Sequence, residues 1–391
     1  MKRWMAAALT ACWFGLAASA YAQPELARKP PMLPEPVPSP DTVPGPMNPF
    51  VAPQGPSDDP GMCGAFGDNC PITPHGMYLH VGALALQRQN PGHTVISLFD
   101  STNRGLDTGN PPFFASPVAV DVNRIHPNFQ WGVQATAGYL YDDRAIEVTG
   151  FYLPSESRAA RRIDPGRLSS PFLNPPLGFE GDNGMFLQDD IVQTTLTTQL
   201  ANAEVNYRWW NRAFWGIEGI LGVRYFDLSE SLDTFFGDDD ILAKDIFGRP
   251  DPVRQATYHI NSHSHLIAPQ IGFEWNYPLL CFLTVGMDAK GAWGVNFVDI
   301  NKRITRGDGF TGFNGSQSDT IFSSVYQLRA FLDLSLWDQV RVRFGYNALW
   351  FVHVPDAQSQ VNYDFRNQFT HINDNGSIFY HGPMVELQLF F

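Results

Sequence analysis

The sequence predicts an all-β chain: a transmembrane, antiparallel, up-and-down β-barrel of about ten strands, with short turns at one end and long loops at the other. Three observations lead there. Long segments alternate apolar and polar residues with period two, as strands do when their faces meet different surroundings. The connections between these segments alternate between tight turns and long polar stretches. Finally, hydrophobic residues make up 44% of the 391 and charged residues only 17%. Yet beyond the leader no stretch approaches the roughly 20 apolar residues of a spanning helix. Only helices and closed barrels satisfy their own backbone polar groups in lipid, so the barrel remains.

The elements follow in order. Lys2 and Arg3, an apolar run from Trp4 to Ala18 and then Ser19-Ala20-Tyr21-Ala22 read as a secretory signal peptide, residues 1–22. A lipoprotein cleavage before Cys12 would leave too short an apolar region. Thirteen of the 31 prolines lie between Gln23 and Pro60, so this part is expected to be extended. Residues 23–75 read as a proline-rich periplasmic tail, whose contacts would be with the periplasm or cell wall. Within it Cys63 and Cys70 close a short glycine-rich loop, the ordinary setting for a local disulfide in an oxidising compartment.

The barrel is expected over 76–391, with strands near 78–88, 129–141, 144–153, 194–210, 214–230, 261–277, 281–297, 321–336, 339–353 and 378–391. The clearest is 197–209, which sets Ala201, Ala203, Val205, Tyr207 and Trp209 against Asn202, Glu204, Asn206 and Arg208. One face suits lipid and the other water. Tight turns are expected at Asp142-Asp143, Asn211-Arg212, Pro278 and Asp338. Long loops are expected at 89–128, 154–193, 231–260, 298–320 and 354–377. A hairpin through His93–Phe99 and Val118–Val122 would raise the count to twelve. Aromatic residues beside the short turns, among them Tyr139, Trp209, Trp275 and Trp337, suit a membrane-interface girdle. The chain ends with Val385, Leu387, Leu389 and Phe391 at alternate positions, like the C-terminal signal read by the barrel-assembly machinery.

Leu221-Gly222-Val223-Arg224-Tyr225-Phe226-Asp227-Leu228-Ser229-Glu230, then Gln270-Ile271-Gly272, and then Gly345-Tyr346-Asn347-Ala348-Leu349-Trp350 before Val354-Pro355 carry a family resemblance. Together they resemble the class 7 predicted outer-membrane barrel proteins of planctomycetes, over roughly residues 76–391. The match weakens upstream of Thr194. The resemblance implies a barrel in the cell outer membrane, surrounded by its lipid. It carries over no catalytic residue.

The inward-facing charges decide what such a barrel does: Glu204, Arg208, Glu218, Arg224, Glu274, Asp288, Lys290, Arg329, Asp333, Arg341, Arg343 and Glu386. Opposite signs are mixed, and Arg224 is expected to pair with Glu204 or Glu218. About ten strands lined by paired charges should enclose a largely filled lumen, because open aqueous channels belong to barrels of about sixteen or more. The expected function is therefore structural, or interaction through the loops. A small-solute channel is the alternative and a hydrolase at the outer rim the third reading.

Other constellations favour bland readings. His259, His263 and His265 share the parity of Ile271, Phe273 and Trp275, which places them outward unless Pro269 marks a bulge, and no metal centre is expected. Asp238-Asp239-Asp240 lacks calcium-loop spacing and reads as solvated. Arg306-Gly307-Asp308 reads as a turn. Asp299, His353 and Asp356 come without a nucleophile at recognisable spacing, so no enzyme and no cofactor is expected. Without Lys2 and Arg3 the formal charge falls from -13 to -15, against any general affinity for nucleic acid.

Overall fold

The computed structural model describes residues 76–99, 106–107, 113–114, 117–141, 143–180, 188–210, 217–238 and 251–391. The expected signal peptide, proline-rich tail and Cys63–Cys70 disulfide lie outside them, as do Asp142, Asn211, Arg212, Asp239 and Asp240.

The chain runs β1 (Gly76–Arg88), β2 (Val95–Phe99), the two-residue β3 (Leu106–Asp107) and β4 (Phe113–Phe114), and β5 (Val118–Asp121). It continues through β6 (Phe129–Tyr141), β7 (Arg144–Ser169), β8 (Asp189–Trp210), β9 (Ile217–Gly237) and β10 (Gln255–Leu280). It ends with β11 (Leu283–Arg306), β12 (Thr311–Trp337), β13 (Val340–Val352) and β14 (Ser377–Phe390). Antiparallel pairings β1–β6, β6–β7 and on through β13–β14, closed by β14 on β1, make a ring of ten strands. The fold is the expected all-β transmembrane antiparallel barrel. The hairpin of β2 and β5 forms, but it pairs with the far end of β7 and leaves the ring at ten.

The strands are much longer than the sequence reading gave them. β7 and β10 hold 26 residues each, β11 24 and β12 27, about 80 to 90 Å of extended chain. Much of the loops expected over 154–193 and 298–320 is strand, as are 231–237 and 255–260 of the loop expected over 231–260; the one over 298–320 shrinks to a turn at 307–310. In that turn Gly309 takes φ +90, and Arg306 folds back onto Asp308 at 2.7 Å.

The reason for the discrepancy is visible along β9. From Ile217 to Tyr225 the odd residues are apolar and face outward, while even positions hold Glu218 and Arg224. From Phe226 the phase inverts. Phe226, Leu228, Leu232 and Phe236 are buried inside, and Asp227, Ser229, Ser231 and Asp233 face out. β10 repeats this, with Ile271 and Ile267 exposed below and Tyr258 and Ile260 buried above. The lower outward belt of nine residues on β9 matches the roughly 9–11 a tilted strand needs to cross a bilayer. Above it the wall continues as an ordinary sheet, wet outside and packed inside. An alternation followed at fixed phase ends where the phase flips.

Pro278 is also displaced from its expected turn. It stays in β10 beside a register shift, and the reversal falls at Cys281-Phe282; proline is tolerated at such irregularities because no ladder N–H is lost. By contrast Pro269 lies in continuous register, so the parity of the histidines holds along β10. Helical pieces among the described residues are single 3₁₀ turns such as Val122–Arg124 and Ala357–Gln360, and no helix of the described chain is long and apolar enough to cross a membrane.

Candidate functional site

The interior of the barrel is the candidate site, and it is stacked in layers that the long strands β8 and β9 present in the same order. Starting from the short-turn end, β9 presents Glu218 and Arg224, then Phe226 and Leu228, then Glu230, then Leu232 and Phe236. β8 presents Arg208 and Glu204, then Leu200, then Thr198, then Leu196 and Val192.

The lowest layer is ionic. Arg208 reaches Glu147 at 3.4 Å, Glu218 at 3.6 Å, and also Glu274. Arg343 makes a bidentate pair with Asp333 at 2.8 Å and lies 3.4 Å from Glu274 and 3.9 Å from Glu386. Asp288 receives Arg329 at 2.7 Å and Lys290 at 3.8 Å, while Lys290 also reaches Glu204 at 3.1 Å. Arg224 lies 3.6 Å from Glu204; its guanidinium donates to Asn202 at 2.9 Å and Gln327 at 2.5 Å. Glu218 goes to Arg208. Arg341 sits at the short-turn end, over the Phe390 ring at 4.8 Å. Neutral amides complete the mesh: Gln134 donates to Glu386 and Gln270 to Glu204. Taking one ion from such a mesh leaves its buried partner uncompensated, so the layer is cooperative.

Above lies an apolar layer drawn from all around the ring, including Leu84 of β1, Leu153 of β7, Leu200 of β8, Phe226 of β9, Leu266 of β10 and Phe351 of β13. Phe226 and Phe351 meet edge to face at 4.9 Å. The two layers join through stacking: the Arg224 guanidinium lies 4.6 Å from the Phe226 ring centre and that of Arg343 3.6 Å from Phe331. Guanidinium is weakly hydrated and stacks on aromatic faces, so arginine suits this boundary.

The third layer is a buried pair. Arg88, the last residue of β1, binds Glu230 through Nε at 2.6 Å and Nη2 at 3.2 Å, with Asp356 at 3.8 Å. The Ala357 N–H also donates to Glu230, at 3.4 Å. This pair ties the loop between β13 and β14 to the wall, as does Ser262 donating to the Pro355 carbonyl at 2.7 Å. Above it the loops form a second core. Ile96 and Val120 of the inner hairpin, Phe172 and Phe365 pack against Leu196, Leu232 and Tyr258. Phe172 stacks on Phe365 at 4.9 Å, and the Tyr363 hydroxyl donates to the Val95 carbonyl and accepts from its N–H, both at 3.1 Å. Burial in this core pushes the Tyr363 phenol up to about 12.

Several of these residues escaped the sequence reading. Glu147 had a signal, standing at inward parity between Ile146 and Val148. Arg88 had none, because the chain separating it from Glu230 spans 142 positions; Asp356, weighed in the sequence only as a rim-site acid, reaches Arg88 instead. Asp299, His353 and Asp356 do not gather at a rim site. Asp299 is on the outer face, accepting from Ser318, and Asp356 is buried inside. His353 is exposed, with φ 56. Asp238 is buried beside Arg254 at 3.7 Å. At the C-terminus Val385 and Leu387 are exposed along β14 and Phe391 just beyond it, and the register sets Val385 against Ala83, Leu387 against Val81 and Leu389 against Leu79 of β1.

No family model matches the chain, and no curated protein matches it. Among solved structures it is similar to the outer membrane protease OmpT from Escherichia coli, with a TM-score of 0.42 and 11% identity over 82% of this chain and 98% of that one. It is also similar to the translocator domain of the autotransporter NalP from Neisseria meningitidis, with a TM-score of 0.34 and 9% identity over 84% and 93%. The toluene transporter TodX from P. putida follows at 0.31 and 9% over 82% and 91%. The ring stands on the chain's own strand pairings.

Proposed function

We propose that this chain is an outer-membrane barrel of the class 7 family whose bore is closed, and that it works through its loop-packed upper half as a structural or surface-interaction protein. Export by the signal peptide, insertion by the barrel-assembly machinery through Val385, Leu387, Leu389 and Phe391, and a periplasmic tail with a Cys63–Cys70 disulfide belong to the same reading. The reading includes no catalytic role; Asp299 lies on the outer face and Asp356 is buried in the loop between β13 and β14, so the rim constellation is not assembled.

The observation that carries it is the apolar layer around Leu84, Phe226 and Phe351. A filter made only of ion pairs can part to pass a solvated ion. A dry plug of side chains from nine strands excludes water, and ions with it. The long strands above the belt then hold the upper loops clear of the lipid surface.

Single-channel recording of the folded full chain in planar bilayers tests this. Wild type is expected to be silent, and Arg224→Ala as well, because the apolar layer still closes the bore above it. Discrete conductance steps in wild type would make the protein a channel and overturn the reading.

A further inference from the structure

Where the outward face of β9 and β10 turns from apolar to polar, three side chains of metal-ligating type converge. His265 lies directly across the strand pair from Asp227, and His263 is two residues along the same face. The His263 Nε2 is 2.7 Å and the His265 Nδ1 3.7 Å from the same Asp227 oxygen, Oδ1. The imidazole rings are 4.3 Å apart, and one ligand atom from each of the three residues lies within 4.8 Å of the others. From these positions we infer that Asp227, His263 and His265 form a binding site for a divalent transition metal ion on the outer wall of the barrel, just above the apolar belt.

The chemistry of the donors narrows the ion. Two imidazoles and a carboxylate suit zinc, copper or nickel, whereas magnesium and calcium take all-oxygen sets. Three protein ligands leave a coordination position open, which here faces the surroundings of the barrel. The backbone is suited to the task. A His-x-His pair on a strand puts both rings on one side, and the antiparallel ladder fixes the third ligand opposite, so little chain entropy remains to be lost on binding. A neighbour outside the ligand set orients one ring: the Tyr225 and His265 rings stack nearly parallel at 6.2 Å, and the Tyr225 hydroxyl, 2.9 Å from His265 Nδ1, gives up that nitrogen when an ion takes it. The alternative is a set of cross-strand His–Asp hydrogen bonds with no ion, like His259 with Asp233 farther up the wall. That pair has a single carboxylate and a single imidazole, and it serves as the internal control.

The test uses untagged full chain folded in detergent, titrated with zinc and, separately, with cobalt, whose visible absorption reports tetrahedral nitrogen and oxygen ligation. The expected result is one ion per chain in wild type, with affinity weakened by at least about tenfold in His263→Ala and in His265→Ala and unchanged in His259→Ala. Folded-barrel mobility on unheated gels shows that each variant is intact, and Asp227→Asn replaces any that is not. Absence of stoichiometric binding in wild type overturns the site, and so does equal affinity in wild type and the histidine variants. An equal loss in His259→Ala also overturns it, since the ion would then be bound by a diffuse histidine patch.

Discussion

The lower half of the barrel is a ring of ten strands, and the upper half is built by the long members of that ring, β7 to β12, with the hairpin of β2 and β5 and the loops packed against them; both keep the period of two, yet they are inside-out versions of one another. In the lower half apolar residues such as Val205, Leu221 and Val223 face out, and charges fill the bore. In the upper half Leu196, Leu232, Phe236 and Tyr258 face in, and Asp233, His259 and Arg303 face out. What changes between them is the solvent around the wall. A strand records its surroundings through the phase of its alternation, and a phase flip such as that at Tyr225-Phe226 marks the level at which the surroundings change.

The largest expected effect comes from the plane where the halves meet. Phe351 is buried at the centre of the apolar layer, against Phe226 and Tyr380. Phe351→Ala should cost about 3–5 kcal/mol, the usual range for emptying a buried phenylalanine site, measured by urea unfolding of the barrel in lipid. A cost near zero would mean that the layer is not close-packed, and the closed bore would lose its main support.

A matched pair of charge insertions sharpens the contrast itself. Leu221 and Ser231 lie on the same outward face of β9, ten positions apart and on opposite sides of the flip. Leu221→Arg, in the middle of the nine-residue belt, should cost about 2–4 kcal/mol, whereas Ser231→Arg should stay within about 0.5 kcal/mol. Equal costs in lipid, by the same unfolding measurement, would remove the distinction between the halves.

How much could be read from the sequence follows the same division. The strand cores at 197–209 and 217–225, the closing strand at 378–391 and the inward parity of Arg224 and Asp288 were legible, because lipid outside and charge inside give a clean alternation. The upper strands look like loops in the sequence, since wet outward positions such as Asp233 and His259 break the apolar set at the phase of the lower half. The count of about ten was legible in the alternating segments, and so was the hairpin of β2 and β5; that the hairpin attaches to β7 and adds no strand to the ring depended on pairings between distant segments. The ion mesh was legible as a list of residues but not as partners: mixed charge along inward faces predicts pairing in general, and only the closed ring decides that Arg208 meets Glu218 while Arg224 meets Glu204. The convergence of His263 and His265 with Asp227 had a visible half, the His-x-His spacing. Its other half needed the β9–β10 register.

The smallest expected effect separates the loop core from the wall that supports it. Tyr363 hydrogen-bonds both backbone groups of Val95, so it links the loop between β13 and β14 to the inner hairpin. Its phenol is raised from 10 to about 12 chiefly by burial, with the Asp121 carboxylate adding to the rise against the backbone hydrogen bond. A raised acid pKa means that the undocked loop gives up its proton first. The contribution of Tyr363 to docking is therefore complete below pH 10 and is lost as pH rises through 12. Limited proteolysis of the loop against pH should show cleavage rising across that window in wild type, while the strands stay intact. Tyr363→Phe should lose about 1 kcal/mol of docking at neutral pH and should lack this part of the alkaline step. If the whole barrel unfolds together across the same window, the upper core is not a separate unit, and the two halves stand or fall as one.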